Sequence, residues 1–327
     1  MADTILEVKN LSLDYLPNNP KEQAAKAFED VSFKLYQSDI LAVVGESGCG
    51  KTTLMLSLMR LLPANARIRQ GEIYLSGKDL LKLSEAELNK LRWAELAIVF
   101  QGAMNALNPV RSVGDQIGEA LLKHGMAKKE IHGRIGELLE LVGIAQNRQH
   151  DYPHQYSGGM RQRAMIAMAL ACNPKVIIAD EPTTALDVMV QAQILELFLS
   201  LRDKLGLSII LVTHDLGVVA EIADRVMVMY AGTVAEMGDS DSLFNQPKHP
   251  YSQELLKAFP DINDPKRKLV SISGYPPKLN NLPPGCRFAP RCRQALDICH
   301  QESPKAVSIS EDHVASCWLL GKAKNVR

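Results

Sequence analysis

The residues best equipped for chemistry are Gly45-Glu-Ser-Gly-Cys-Gly-Lys51-Thr52-Thr53. The spacing G-x-x-x-x-G-K-T is that of a phosphate-binding loop, or P-loop. Its glycines let backbone N–H groups turn inward around phosphate oxygens, and a following helix adds a favourable dipole. In that pattern Lys51 reaches the β- and γ-phosphates and the Thr52 hydroxyl coordinates Mg²⁺. The apolar run Ile40–Val44 before it and Leu54–Leu62 after it read as the strand and helix that such a loop joins.

Three more constellations carry chemistry. Asp180-Glu181 ends the apolar run Lys175–Ala179. An aspartate there suits Mg²⁺ beside phosphates, and Glu181 can orient and deprotonate an attacking water. Asp-Glu-Pro is also a good helix-start turn. Ser157-Gly158-Gly159 opens a helix, and exposed N–H groups at a helix N-terminus make a second anion site, or an ordinary cap. Four of the six cysteines, Cys286, Cys292, Cys299 and Cys317, share one C-terminal stretch with spacing C-x₅-C-x₆-C-x₁₇-C. Such clustering in a cytosolic chain points to metal rather than disulfides. The spacing matches neither a ferredoxin run nor paired zinc knuckles, so it leaves iron–sulfur and zinc open. The stretch is proline-rich and short of apolar residues, which argues against four free buried thiols. Cys172 is expected on a core helix and Cys49 in the P-loop, neither as a metal ligand.

These groups need a frame. Residues 4–16 and 31–36 alternate apolar and polar residues and read as strands of an antiparallel layer, with 17–25 a loop between them. Residues 64–70 read as polar loop, 71–75 as a short strand, and Ser84 as the cap of a helix. Leu96–Phe100, Lys175–Ala179 and Ser208–Thr213 are continuous apolar runs, the pattern of parallel strands buried on both faces. Helical patterns cover 113–124, 128–142, 160–170 and 190–205, and 226–230 with 232–236 read as a closing hairpin. Polar residues at strand ends put the ligand at the C-terminal strand edge. The fold class is therefore α/β, a P-loop (RecA-like) core with an antiparallel β-layer, an inserted α-helical subdomain and a loop-rich C-terminal extension. The expected domains are 1–102 with 157–240 as nucleotide-binding core, 103–156 as helical insert and 241–327 as extension.

Composition excludes several classes. In 327 residues Lys+Arg and Asp+Glu both number 37, so net charge favours neither nucleic acid nor an anionic surface as the main partner. The hydrophobic share of 46% is ordinary for a globular chain. No apolar run approaches the ~20 residues that span a bilayer. Met-Ala-Asp-Thr-Ile-Leu-Glu lacks the regions of a signal peptide, so a cytoplasmic protein is expected, with any membrane role through a partner.

Taken together, Gly45–Thr53, Gln101, Ser157–Gly159, Asp180-Glu181, Ala185-Leu-Asp187 and His214 resemble, in order and approximate spacing over residues 4–240, the ATPase subunits of ABC transporters. That resemblance implies a head-to-tail dimer with two ATPs at its interface. Lys51, Thr52 and the loop residues Gly45, Ser47, Gly48, Cys49, Gly50 and Thr53 would hold phosphates; Thr52, Asp180 and Gln101 would serve Mg²⁺. Glu181 would be the general base and His214 would contact the γ-phosphate. Gln101 would also link to a membrane subunit. Ser157, Gly158 and Gly159 would clamp the partner's γ-phosphate, Asp187 would cross the interface, and Tyr15 would stack on adenine. The tail, with Lys248-His-Pro-Tyr and Gly274-Tyr-Pro-Pro followed by the cysteines, looks like that of peptide importers of the dipeptide/oligopeptide type, and like members carrying a 4Fe–4S cluster. The partners implied are a second, distinct ATPase subunit, two permease subunits and, indirectly, an extracytoplasmic solute-binding protein. The place implied is the cytoplasmic face of the membrane. One departure is Gly102–Pro109, where many relatives carry an acid and serines. An importer for oligosaccharides or metal complexes, and a soluble ABC ATPase without transport, are the alternatives.

Overall fold

The structure, a computed structural model, describes residues 3–17, 19, 22–102, 106–184, 186–258 and 272–321. The chain divides into two compact units, one of residues 1–5, 35–39 and 79–212, the other of residues 6–34, 40–78 and 213–327.

In the first unit, Leu96–Val99, Val176–Asp180 and Ser208–Val212 form a parallel ladder, with Ile98 opposite Ile178 and Ile178 opposite Ile210. Every residue of Val176–Asp180 and Ser208–Val212 is buried, which is why both runs lack the alternation of a half-exposed strand. Helices Val113–Lys123 and Lys128–Leu141 pack on each other and on Gly158–Ala169. Helix starts are written locally. Ser84 and Glu87 close a capping box before Glu85–Leu91, and Ser112 accepts from the Asp115 N–H. Helix Val188–Leu205 begins two residues before the expected start, because Asp187 caps it by accepting from the Val190 N–H at 2.9 Å.

In the second unit, Thr4–Tyr15 pairs antiparallel with Ala66–Leu75 from Leu6 onward. The expected loop at 64–70 is therefore strand from Ala66. Arg67, Arg69 and Gln70 made the stretch look polar, yet Ile68 stands opposite Leu13 and Ala66 opposite Tyr15, so the apolar side still faces a partner. A register shift around Ser12 separates the two halves of the pairing and hides its period. Ala25–Tyr36 is likewise longer than the expected 31–36. Ile40–Val44 lies parallel to Arg225–Tyr230, which hairpins with Thr233–Asp239. The C-terminal region adds helices Ser240–Asn245 and Pro250–Lys257, and its described residues 272–321 hold little regular structure. It continues the hairpin's sheet, because Val314–Ala315 pairs with Glu236 and Met237. No described helix is long and apolar enough to cross a membrane.

Candidate functional site

In the second unit the P-loop leaves the buried strand Ile40–Val44 and enters helix Lys51–Leu58. Gly45 has φ +149°, and a Cβ there would lie 2.1 Å from the Met229 carbonyl oxygen, so only glycine fits. The Lys51 side chain is 7% exposed, and its ammonium donates to the carbonyls of Gly45 at 2.7 Å and Glu46 at 3.2 Å. A buried cation held by neutral dipoles on a loop of inward backbone groups fits an anion of several charges. Tyr15 shares a 3.0 Å hydrogen bond between its hydroxyl and that of Thr53, which fixes the ring beside the start of the P-loop helix. His214 is exposed, between Thr213, whose N–H donates to Val43, and Asp215, which caps Leu216–Ile222.

In the first unit Gln101 and Glu181 come together. The Gln101 amide donates to the Glu181 carboxylate at 2.6 Å, and the Thr184 hydroxyl donates to the same oxygen at 3.0 Å. Glu181 has φ +47°, a left-handed conformation that costs an ordinary residue on the order of 1–3 kcal/mol. Pro182 already disfavours the right-handed helical region at Glu181. The Glu181 N–H donates to the Val212 carbonyl at 2.8 Å, so the flanking strand holds the strained residue at the edge of the ladder. Asp180, just before it, is 3% exposed. Its carboxylate, the Thr52 hydroxyl and the Gln101 amide are hard oxygen donors of the kind Mg²⁺ takes. Ser157 is spent as an N-cap, accepting from Met160 at 3.3 Å, with Gly158 and Gly159 in the first turn of Gly158–Ala169.

The four tail cysteines also come together, in the second unit. They ring one small cavity with His249, Phe288 and Trp318. Cys299 and Cys317 are 7% and 8% exposed, contrary to the expectation that this stretch cannot bury thiols. Phe288, Trp318 and Leu319 line the same cavity, and Cys286 and Cys292 pack against an aromatic cluster of Tyr230, Tyr251 and Phe288, whose rings lie within 5.3 Å of one another. Burial raises the pKa of Cys286 and Cys292 and pushes Cys317 up to about 11, and the neighbouring thiols add to each rise. A central cation would reverse that preference, since metal ligands must be thiolates. Among the described residues no three His, Cys, Asp or Glu side chains are placed to hold a metal ion.

Sequence reasoning missed a set of contacts around the P-loop. The Arg291 guanidinium donates to both carboxylate oxygens of Glu46, at 2.8 and 3.0 Å, and to the Tyr230 hydroxyl at 3.2 Å. The Glu46 N–H donates to the Tyr251 hydroxyl at 3.1 Å. Arg287, 8% exposed, donates to the Ala231 carbonyl and to Glu29. Burial pulls against the charge of Arg291, but its hydrogen bonds to Tyr230 and Glu46 win and raise its pKa. Glu46 itself was a usable signal, because an acid inside a phosphate-binding loop needs a cation to hold it aside.

Comparison with known proteins agrees with this geometry. Residues 28–184 match the family described as "ABC transporter", and residues 235–299 match "Oligopeptide/dipeptide transporter, C-terminal region". The dipeptide transport ATP-binding protein DppD of Bacillus subtilis is 48% identical over 97% of this chain and 95% of its own length. The oligopeptide transport ATP-binding protein OppD of the same organism is 47% identical over 97% of this chain and 89% of its own. The dimeric ATP-binding cassette MJ0796, solved with ADP and Pi, superposes with a TM-score of 0.63 at 28% identity, over 72% of this chain and 98% of its own. CbiO1 of Clostridium perfringens gives 0.64 at 28% identity, over 75% and 92%. With near full-length relatives at this identity and both regions matched, the chain belongs to the ABC-transporter ATP-binding proteins, in the branch with the oligopeptide/dipeptide C-terminal region, and is an ABC ATPase.

Proposed function

We propose that this chain hydrolyses ATP as one motor of an importer for di- and oligopeptides, acting at the cytoplasmic face of the membrane through permease subunits. The observation that carries the ATPase half is the Glu181 carboxylate, strained, fixed at a strand edge and held by Gln101 and Thr184. A carboxylate so oriented suits removal of a proton from an attacking water. Lys51 and the backbone of Gly45, Ser47, Gly48, Cys49, Gly50, Thr52 and Thr53 take the phosphates. His214 contacts the terminal phosphate, and Tyr15 takes the adenine. Thr52, Asp180 and Gln101 serve Mg²⁺, which when bound neutralises charge on the transferred phosphoryl group.

The peptide half rests on the C-terminal region and on relatives named as dipeptide and oligopeptide transport proteins. Head-to-tail pairing with a distinct second ATPase gives Ser157, Gly158, Gly159 and Asp187 their work, on the partner's nucleotide. Val188 and Met189, directly after Asp187, are 80% and 72% exposed, and Val110 is 79% exposed. Apolar groups left in water at such positions support protein partners there. The division into core, helical insert at 103–156 and extension at 241–327 goes with this reading. At the tail, Cys286, Cys292, Cys299 and Cys317 hold a 4Fe–4S cluster. The four thiols line one small cavity, which supports their acting as one ligand set, and the likeness of the tail to cluster-bearing members favours iron–sulfur over zinc.

The test is Glu181→Gln. It should cut turnover by about 10³-fold, the scale of a lost general base, while keeping ATP binding, and should trap an ATP-bound dimer visible by light scattering. A variant that stays monomeric with ATP and Mg²⁺, even beside its natural partner ATPase, sinks the sandwich. For the tail, iron and acid-labile sulfide in the anaerobically purified chain should vanish in Cys286→Ser/Cys292→Ser. Stoichiometric zinc in place of iron sinks the cluster.

A further inference from the structure

The stretch Cys286-Arg287-Phe288-Ala289-Pro290-Arg291-Cys292 grips the P-loop from several sides. Arg291, with a side chain 6% exposed, holds both oxygens of the Glu46 carboxylate through one nitrogen, Nη1. Phe288 packs on Tyr230 and Tyr251, and the Tyr251 hydroxyl accepts the Glu46 N–H. Arg287 holds the Ala231 carbonyl, and the next residue, Gly232, donates its N–H to the Cys49 carbonyl at 2.9 Å. Glu46 and Cys49 are thus two of the four x positions of the loop, and each is contacted by groups far away in sequence.

We propose that Arg291 is a positioning residue for nucleotide binding: by pairing with Glu46 it holds that carboxylate away from the phosphate site and sets the loop's backbone, so the segment between two tail thiols tunes ATP affinity. Two physical terms act in the same direction. A carboxylate released from the Arg291 Nη1 would stand beside the incoming phosphates and repel them. A loop freed from its clamp would have to be ordered by the ligand, which weakens binding. Both terms act on bound ATP and on the transition state alike, so they raise KM and leave kcat nearly unchanged. The inference rests on the reading that Gly45–Thr53 binds ATP. It does not require the thiols to hold iron, because the contacts come from the arginines.

The experiment measures KM and kcat for ATP in the assembled transporter carrying Arg291→Ala, Glu46→Gln, the double substitution, or Arg293→Ala. Arg293 is an exposed arginine two residues on and serves as the charge control. Arg291→Ala should raise KM by about tenfold with kcat within about twofold, because an unpaired Glu46 carboxylate is left in the loop. The double substitution should lose much less than Arg291→Ala alone, since removing the carboxylate removes the repulsion, and the two effects should be non-additive. Arg293→Ala should leave KM alone. Should Arg291→Ala fail to assemble, Glu46→Gln keeps the loop's volume and tests the clamp by itself, with a smaller rise in KM of about threefold. KM unchanged in a folded Arg291→Ala or Glu46→Gln protein, additive effects, or an equal rise in Arg293→Ala overturns the proposal. A wild-type chain that does not bind ATP at all sinks the underlying reading instead, and direct ATP binding to the wild type separates the two failures.

Discussion

Gly45–Gly50 and Cys286–Cys292 both lie beside the same strand, Arg225–Tyr230, and they hold their shapes by opposite means. The first is shaped by backbone. Its glycines at 45, 48 and 50 all have positive φ, and Gly45 lies against the Met229 carbonyl with no room for a side chain. The second contains no glycine and is shaped by side chains: Phe288 in an aromatic cluster, Arg287 and Arg291 on carbonyls and carboxylates, and two thiols on a cavity. A backbone-shaped loop owes its turns to glycine conformations rather than to side-chain anchors. A side-chain-shaped loop spends its groups on the protein and so ties distant segments together. The two loops should therefore fail under opposite substitutions, trimming in one and addition in the other.

The largest effect is expected from trimming the second loop. Phe288 is 2% exposed, with its ring 5.2 Å from Tyr230 and 5.3 Å from Tyr251. Phe288→Ala should cost about 3–5 kcal/mol, read as a lower urea midpoint at unchanged slope. It should also raise the ATP KM, because Tyr251 would lose the packing that holds its hydroxyl on the Glu46 N–H. A loss below about 1 kcal/mol would mean that side chains do not shape this loop.

Addition should break the first loop. In Gly45→Ala the new methyl meets a carbonyl oxygen of a strand flanked on both sides rather than the end of a flexible side chain. Strain of about 1–3 kcal/mol at such a backbone, plus the displacement of Met229, should lower the melting temperature and abolish saturable ATP binding. A folded Gly45→Ala protein with wild-type ATP affinity would show that the loop's close approach to the strand is dispensable.

The same contrast explains what could be read in advance. The P-loop was legible because its chemistry is local: glycine spacing, a lysine and a threonine within nine residues. Ile40–Val44, Val176–Asp180 and Ser208–Val212 were legible because full burial leaves continuous apolar runs. Ser84 and Glu87 announced a helix start through a reciprocal cap. Ala66–Gln70 was not legible, since the pairing that makes it a strand is with Leu13–Tyr15, across a register shift. Nor was the Arg291–Glu46 pair, whose members are 245 residues apart and need the fold to meet. Of the candidate residues, Gln101 and Glu181 could be named from motif order, but their 2.6 Å contact and the left-handed backbone of Glu181 come only from the folded chain.

The finest test of the contrast lies inside the first loop. Gly48 also has positive φ, at +76°, but a Cβ built there meets no atom within 4 Å. Gly48→Ala thus isolates the backbone term from the clash that Gly45→Ala adds. A left-handed conformation costs an alanine about 1 kcal/mol relative to glycine, with no packing loss to follow. The stability loss, read from the urea midpoint, should be that small and clearly below the loss in Gly45→Ala. Equal losses at the two positions would assign the loop's demand for glycine wholly to backbone conformation. The wall formed by the Met229 carbonyl would then have no part in shaping it.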